Sequence, residues 1–452
     1  MLKVETIRTT ELGDRSYVAH DGASAIVIDP QRDIDRVQAI LDELGLVCVL
    51  VLETHIHNDY VSGGLALAKA TGASYVVARD DAVEFERRGV SDGDELTAGS
   101  LRVTVVSTPG HTEDHLAFVV RDGDGQAVVF TGGSLLYGSV GRTDLVGEAK
   151  TVALTHAQYR SVRRLAGLLD EDTPVYPTHG FGSFCSSGAT SGAETSTIGI
   201  EKQQNEALTT PDEDRFVEQL VAGLTAFPSY YAHMAPLNRR GPREPELVAP
   251  TTVDPVVLAA RIHAGEWVVD LRSKSAFAKE HLGGTISIAL GDNFSTYLGW
   301  LHPWGAPLTL IGEDPASILA AQRQLVRIGI DRLEGAASGS PDSLSAGSPL
   351  RSYRAASFAE LAREADARVL DVRRRDERAQ AHFPGSLHIP LDELVERVDE
   401  LPSEKLWVHC ASGFRASIAA SLLERAGRSV VLIDDDFVNA DRLGLVVHRA
   451  GG

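Results

Sequence analysis

The residues best suited to chemistry form the run Cys410-Ala411-Ser412-Gly413-Phe414-Arg415, directly after the apolar stretch Leu406-Trp407-Val408-His409. A thiol thus stands where a strand turns into a loop of small residues. Backbone N–H groups of such a loop, those of Ser412 and Gly413 among them, would surround the sulfur together with the Arg415 guanidinium. They would lower its pKa from about 8.5 and hold the negative charge of whatever it attacks or carries. The competing reading is a buried structural cysteine, the usual fate of a free thiol. A purely structural cysteine has no need of Gly413 and Arg415 beside it, so the nucleophile is preferred.

Four residues separate Cys410 from Arg415. The loop is one residue shorter than the C-x5-R loop of protein phosphatases, and a smaller ring suits a single transferred sulfur better than a phosphate. Upstream lie Leu370-Asp371-Val372-Arg373, Glu377 and the run from His382 to Pro390. On these motifs, residues 352–452 resemble a rhodanese domain, a sulfurtransferase that carries a persulfide on its cysteine. The resemblance implies catalytic roles for Cys410 and Arg415, and thiosulfate, sulfite or a thiol as exchange partners.

A second cluster is rich in histidine. The apolar run from Leu46 to Glu53 ends in Thr54-His55-Ile56-His57-Asn58-Asp59-Tyr60, and two histidines at i and i+2 just past a strand end are expected on one side. Neutral imidazoles suit zinc or iron. Further along come Pro109-Gly110-His111, Thr131-Gly132-Gly133, Gly141-Arg142-Thr143-Asp144 and Pro177-Thr178-His179. In order and spacing these resemble the metal-site motifs of the metallo-β-lactamase fold, most closely its persulfide dioxygenase branch. The fusion as a whole resembles the persulfide dioxygenase–rhodanese family, in which an iron centre oxidises a glutathione-type persulfide to sulfite. The resemblance makes His55 and His111 metal ligands and places Arg142 and Asp144 near the substrate. His57, Asp59 and His179 become positions retained from the wider fold.

Two departures bear on the metal. Tyr60 stands where dioxygenase members have the last His of His-x-His-x-Asp-His, and Gly133 stands where they have the Asp that completes a two-histidine, one-carboxylate iron site. Three outcomes stay open. His55, His57 and His111 could bind one Zn2+ or Fe2+ with an open position, favouring hydrolysis; Asp59, His115 or His179 could supply a substitute ligand; or the pocket could hold no metal. Cys185, close after His179, is either a second thiol near the pocket or a plain loop cysteine.

The elements that must position these groups are α/β throughout. The expected architecture is a metallo-β-lactamase αββα sandwich over 1–245, then two rhodanese-like α/β domains with parallel sheets over 250–335 and 352–452. An internal repeat supports the doubling: Val269-Asp270-Leu271-Arg272 and His281 to Leu290 match Leu370-Asp371-Val372-Arg373 and His382 to Leu391 at a constant offset of 101 residues. The first copy has Gly312-Glu313-Asp314-Pro315 after its strand Leu308–Ile311, with neither Cys nor Arg, and cannot form a persulfide there. The Gly-, Ser- and Pro-rich stretch 335–349 reads as a flexible linker. The Pro-bounded segment 227–242 reads as a strap from the first domain to the second.

A net charge of -20 argues against a nucleic-acid partner, and no apolar run approaches the roughly 20 residues of a membrane span. Three scattered cysteines fit a reducing compartment. The first residues lack the pattern of a secretory signal, so a cytoplasmic location is expected. A homo-oligomer is left open. Three functions compete: a persulfide-handling enzyme with sulfurtransferase activity, a metal-dependent hydrolase of thioesters, and a sulfurtransferase with a non-catalytic amino-terminal scaffold.

Overall fold

The structure is a computed structural model, described over residues 1–188, 192–245 and 247–448. The chain divides into two compact units, Met1–Glu246 with Leu325–Gly329, and Leu247–Gln324 with Ile330–Gly452.

In the amino-terminal unit the strands Lys3–Thr9, Asp14–His20, Ser24–Ile28, Val47–Leu52, Ser74–Ala78 and Arg88–Val90 lie side by side in chain order as one sheet. The strands Glu95–Ala98, Leu101–Ser107, Leu116–Asp122, Val128–Gly132, Pro174–Pro177 and Ser196–Thr197 form a second in the same way. Apolar alternation sets the register. Ile26, Ile28, Leu50 and Leu52 join Val103, Val105, Phe118 and Phe130 in one core between the sheets. Their neighbours Ala25, Val27, Cys48 and Val51 pack the opposite face with Val37 and Leu41 of the helix Asp35–Leu44. On the far side Val119 and Val129 meet Val162 and Leu165 of the helix Thr151–Leu168. Side chains of a strand alternate faces, so apolar residues at every position require cover on both sides. Helices supply it, and the result is the expected αββα sandwich. The ends of Val47–Leu52, Val128–Gly132 and Pro174–Pro177 deliver the motif loops.

The carboxy-terminal unit holds two parallel sheets. In the first the strands run in the order Ile286–Ser287, Trp267–Asp270, Leu308–Gly312, Gly335–Ser338. In the second the order is Arg354–Ala356, Val430–Ile433, Leu406–His409, Arg368–Asp371, Leu387–His388. The repeat extends to individual hydrogen bonds. Arg272 Nη2 donates to Asp270 at 2.6 Å and to the carbonyl of Glu280 at 2.9 Å. Arg373 Nη2 donates to Asp371 at 2.7 Å and to the carbonyl of Ala381 at 2.7 Å.

One reading is corrected here. The stretch taken as a linker contains the edge strand Gly335–Ser338 and the helical turn Pro341–Leu344. Small residues serve packing there rather than flexibility: a Cβ on Gly335 would lie 2.2 Å from Val253 Cγ2.

Candidate functional site

After Leu52 the chain leaves the sheet and presents His55, whose Nδ1–H donates to Thr54 Oγ1 at 2.9 Å. That hydroxyl in turn donates to Asp29 Oδ2 at 2.7 Å, which leaves Nε2 of His55 with its lone pair. His111 is fixed in the same sense, Nδ1–H donating to the carbonyl of Arg142 at 2.7 Å, and its Nε2 is buried without a hydrogen-bond partner among the described residues. His179 donates from Nδ1 to Asp14 at 2.8 Å, and its Nε2 stands 3.3 Å from Nε2 of His55. Two imidazole nitrogens so close require a shared proton or cation. Ligand atoms of His55, His111 and His179 lie within 4.8 Å of one another.

Electrostatics distinguish the three rings. Burial, then the neighbouring imidazoles, hold His55 well below the usual histidine range, and burial with His179 lowers His111 to about 3. Both rings are neutral. Burial opposes a charge on His179, but Asp59 and Asp14 raise it well above the ordinary value.

Donor atoms fall in overlapping groups within 4.8 Å, among them His55, His111 and His179, and His57, Asp59 and His179, and Nδ1 of His57 is buried without a hydrogen-bond partner among the described residues. The rings of His55 and His57 are neighbours at 4.1 Å, as the i, i+2 spacing implies. Yet His57 Nε2 faces Tyr60 Oη at 3.0 Å, Glu53 at 3.2 Å and Asp29 at 3.4 Å. Burial works against charging this ring, but Asp29 and Glu53 raise it to about 9. A cation between two buried carboxylates satisfies charges that would otherwise be costly. His115 is occupied too: Nε2 accepts from the amide of Gly133 at 3.0 Å, and Nδ1 meets Thr108 Oγ1 at 2.8 Å. Asp59 lies behind His179, Oδ2 being 3.2 Å from Nδ1.

The donor set fits one metal ion through the imidazoles of His55, His111 and His179. A carboxylate is missing at residue 133, and a Cβ there would sit 2.2 Å from His111 Cδ2.

Arg142 and Asp144 form a two-bond ion pair, both contacts at 2.7 Å. Arg142 also donates to the carbonyls of Phe184 and Thr225 and stacks its guanidinium over Phe227. Cys185 is buried, and burial with Asp59 and Asp14 pushes its thiol well above the ordinary value. The segment read as an interdomain strap includes the helix Tyr231–Arg240. Its Asn238 accepts from the amide of Ser62 and donates to the carbonyls of His57 and Tyr60, so it fixes the histidine loop.

In the carboxy-terminal unit, Cys410 occupies the junction between the strand Leu406–His409 and the helix Phe414–Arg425. The first-turn amides of a helix lack intrahelical acceptors and favour an anion. Gly413 has φ 84°, and a Cβ there would strike Asp434 Oδ1 and Lys274 Nζ. Arg415 was expected to hold the sulfur. Its guanidinium pairs with Glu377 at 2.6 and 2.7 Å, as a largely buried cation requires, and also interacts electrostatically with Cys410.

Sequence reasoning missed what the first copy contributes. Lys274 Nζ donates to the carbonyl of Ser412 at 2.7 Å and pairs with Asp434. Tyr297 packs on Phe414 at 5.5 Å, and burial raises its hydroxyl while the Arg415 guanidinium pulls it the other way. Ser287 bonds Ser417 and Ser421 of the loop's helix. Nothing in the repeat singled these residues out, because they do different work in the two copies. Asp29 was missed as well, although a carboxylate ending the buried run Ala25–Ile28 was the available signal.

Residues 10–179 match the family model described as metallo-beta-lactamase superfamily, and residues 354–440 match the rhodanese-like domain. Human mitochondrial persulfide dioxygenase is 31% identical over 206 residues, 45% of this chain and 72% of that protein. The chain belongs to the persulfide dioxygenase family of the metallo-beta-lactamase superfamily. The chain is similar over a shorter span to hydroxyacylglutathione hydrolase of Albidiferax ferrireducens, 37% identical over 127 residues, 28% of this chain and 49% of that protein. The crystal structure of a metallo-beta-lactamase from Staphylococcus aureus superposes with a TM-score of 0.67 at 28% identity, covering 75% of this chain and 99% of that one. This persulfide dioxygenase family member departs from the expected ligand pattern at Tyr60 and Gly133. Among the described residues no helix is long and apolar enough to cross a membrane.

Proposed function

We propose that this protein handles sulfane sulfur at two places: a persulfide-handling metal pocket in the amino-terminal unit and a sulfurtransferase loop at Cys410. The observation that carries the reading is Cys410 at the start of the helix Phe414–Arg425, in a loop braced by Lys274 and by the Arg415–Glu377 pair. The Cys410 thiolate attacks the sulfane sulfur of a donor such as thiosulfate. A bond forms from Sγ to that sulfur, the donor's S–S bond breaks, and sulfite leaves with the electron pair. Sulfite or a thiolate then takes the outer sulfur, and Cys410 leaves as thiolate. Loop amides and the helix terminus hold the anion at both stages.

In the amino-terminal unit His55, His111 and His179 would hold one Fe2+ or Zn2+. Iron there supplies oxidation of a persulfide sulfur, and zinc supplies Lewis-acid hydrolysis. The residues around the ligands do the positioning. Arg142 ties the 184 and 225 segments to its own loop, and Asn238 fixes the backbone of His57 and Tyr60. Domain limits of 1–245, 250–335 and 352–452 are part of this proposal, with the first copy bracing the second.

The absence of a carboxylate at Gly133 favours a second reading, metal-dependent thioester hydrolysis. Metal analysis of protein from iron- and zinc-supplemented cells, with oxygen uptake on glutathione persulfide and a thioester screen, separates the two. Iron with oxygen consumption supports the first and zinc with thioester cleavage the second. Cys410→Ser tests the sulfurtransferase directly: thiosulfate-to-acceptor transfer is lost while fold and metal content stay unchanged.

A further inference from the structure

One cavity of about 290 Å³ opens beside the histidine cluster. Ile56 and Asn58 line it, alternating along the chain with His55, His57 and Asp59, and Thr112 follows His111 into it. Among the described residues lining it are three carboxylates, Asp81, Glu113 and Asp114, and one guanidinium, Arg239. Glu113 is already paired with Lys150 at 2.8 Å. Asp81 is different. It is only 6% exposed, and its Oδ2 has no hydrogen-bond partner among the described residues. Burial first, and the Asp114 carboxylate second, push Asp81 up to about 7, while Arg239 and Arg87 pull the other way. A buried carboxylate left unsatisfied at a cavity wall is a place prepared for a cation.

The rest of the wall decides which cation. Phe227, Tyr231 and Ala235 line the same cavity, which gives an organic ammonium an apolar stem contact and aromatic faces. The volume lies close to the lower bound of the roughly 300–1,000 Å³ typical of ligand pockets, which suits a small molecule.

We propose that the pocket takes a small aminothiol persulfide, its ammonium seated against Asp81 and Asp114, in preference to a dicarboxylate persulfide of the glutathione type. This rests on the persulfide reading of the amino-terminal unit and names the charge class of its substrate. A glutathione-type tripeptide also carries one ammonium, but its two carboxylates leave it a net anion and bring like charge to Asp81, Glu113 and Asp114, whereas the aminothiol is a net cation.

Calorimetric titration with non-reactive thioethers tests it: S-methylcysteamine against S-methylglutathione, on the intact protein and on Asp81→Asn and Asp114→Asn. The cysteamine derivative is expected to bind more tightly, and each variant to weaken it by about tenfold, the effect of losing one charged contact. Equal or tighter binding of S-methylglutathione, no binding of either ligand, or unchanged affinity in both variants overturns the proposal. Oxygen uptake by the iron-loaded protein, run in parallel with cysteamine persulfide and glutathione persulfide, keeps the two readings distinct. Uptake with glutathione persulfide alone overturns this proposal and leaves the persulfide reading standing. No uptake with either, alongside the predicted binding preference, removes the persulfide reading and leaves the charge preference intact.

Discussion

A Cβ built on Gly133 would stand 2.2 Å from Cδ2 of His111. The imidazole therefore occupies the space that an aspartate at residue 133 would need, and the amide of Gly133 is held by His115. Restoring the family's carboxylate alone should not restore its iron site. Gly133→Asp is expected to displace His111, destabilise the protein by about 1–3 kcal/mol through overpacking, and lower metal content rather than raise it. Thermal unfolding and elemental analysis check this, and a gain of bound iron in the variant would contradict it.

Ligand assignment can be tested one ring at a time. Alanine at His55, His111 or His179 should abolish stoichiometric metal binding. Alanine at His57 should leave the metal in place but destabilise the fold by about 3 kcal/mol, because Asp29 and Glu53 would lose the cation between them. Loss of metal in the His57 variant with normal stability would reverse the assignment.

Lys274 belongs to the copy without a nucleophile but bonds the Ser412 carbonyl of the copy that has one. Lys274→Ala should slow sulfur transfer by about tenfold, equivalent to ~1.4 kcal/mol. It should change thermal stability little, since the pair with Asp434 is partly exposed. Lys274→Arg should recover part of the rate. A rate unchanged in Lys274→Ala would show that the first copy does not position the loop.

Acid should weaken the carboxy-terminal unit before it reaches the carboxylate range. Burial lowers His409 to about 4 against the pull of Asp371, so the folded ring is neutral where the unfolded one already binds a proton. Its contribution, about 3 kcal/mol, is complete above the unfolded value of about 6.5 and disappears as pH falls to about 4. Denaturant titrations followed by tryptophan fluorescence, all four tryptophans lying in this unit, should show the slope between those limits, and His409→Leu should flatten it. An equal slope in the variant would exclude His409 as its source.

The parts of the molecule legible in the sequence were those with local signatures. The apolar run from Leu46 to Glu53 announced a covered strand, and Asp270 and Arg272 announced the repeat that Asp371 and Arg373 complete. The Cys410 loop was legible because strand, small residues and helix follow one another directly. Ligand choice was not, because the loop after Leu52 is irregular and the direction of each imidazole depends on partners far along the chain. Asp14 lies 165 residues from His179, which it orients, and Arg142 lies 31 residues from His111. The Gly/Ser/Pro composition of 335–349 misled for a related reason: small residues serve tight packing as well as flexibility.

The central claim is that Cys410 carries sulfane sulfur, and intact-protein mass spectrometry after incubation with thiosulfate tests it most directly. The account predicts a mass increase of one sulfur atom, mapped to the peptide containing Cys410, removed by sulfite and absent from Cys410→Ser. An unmodified Cys410, or an equal increase in the Cys410→Ser protein, would contradict it.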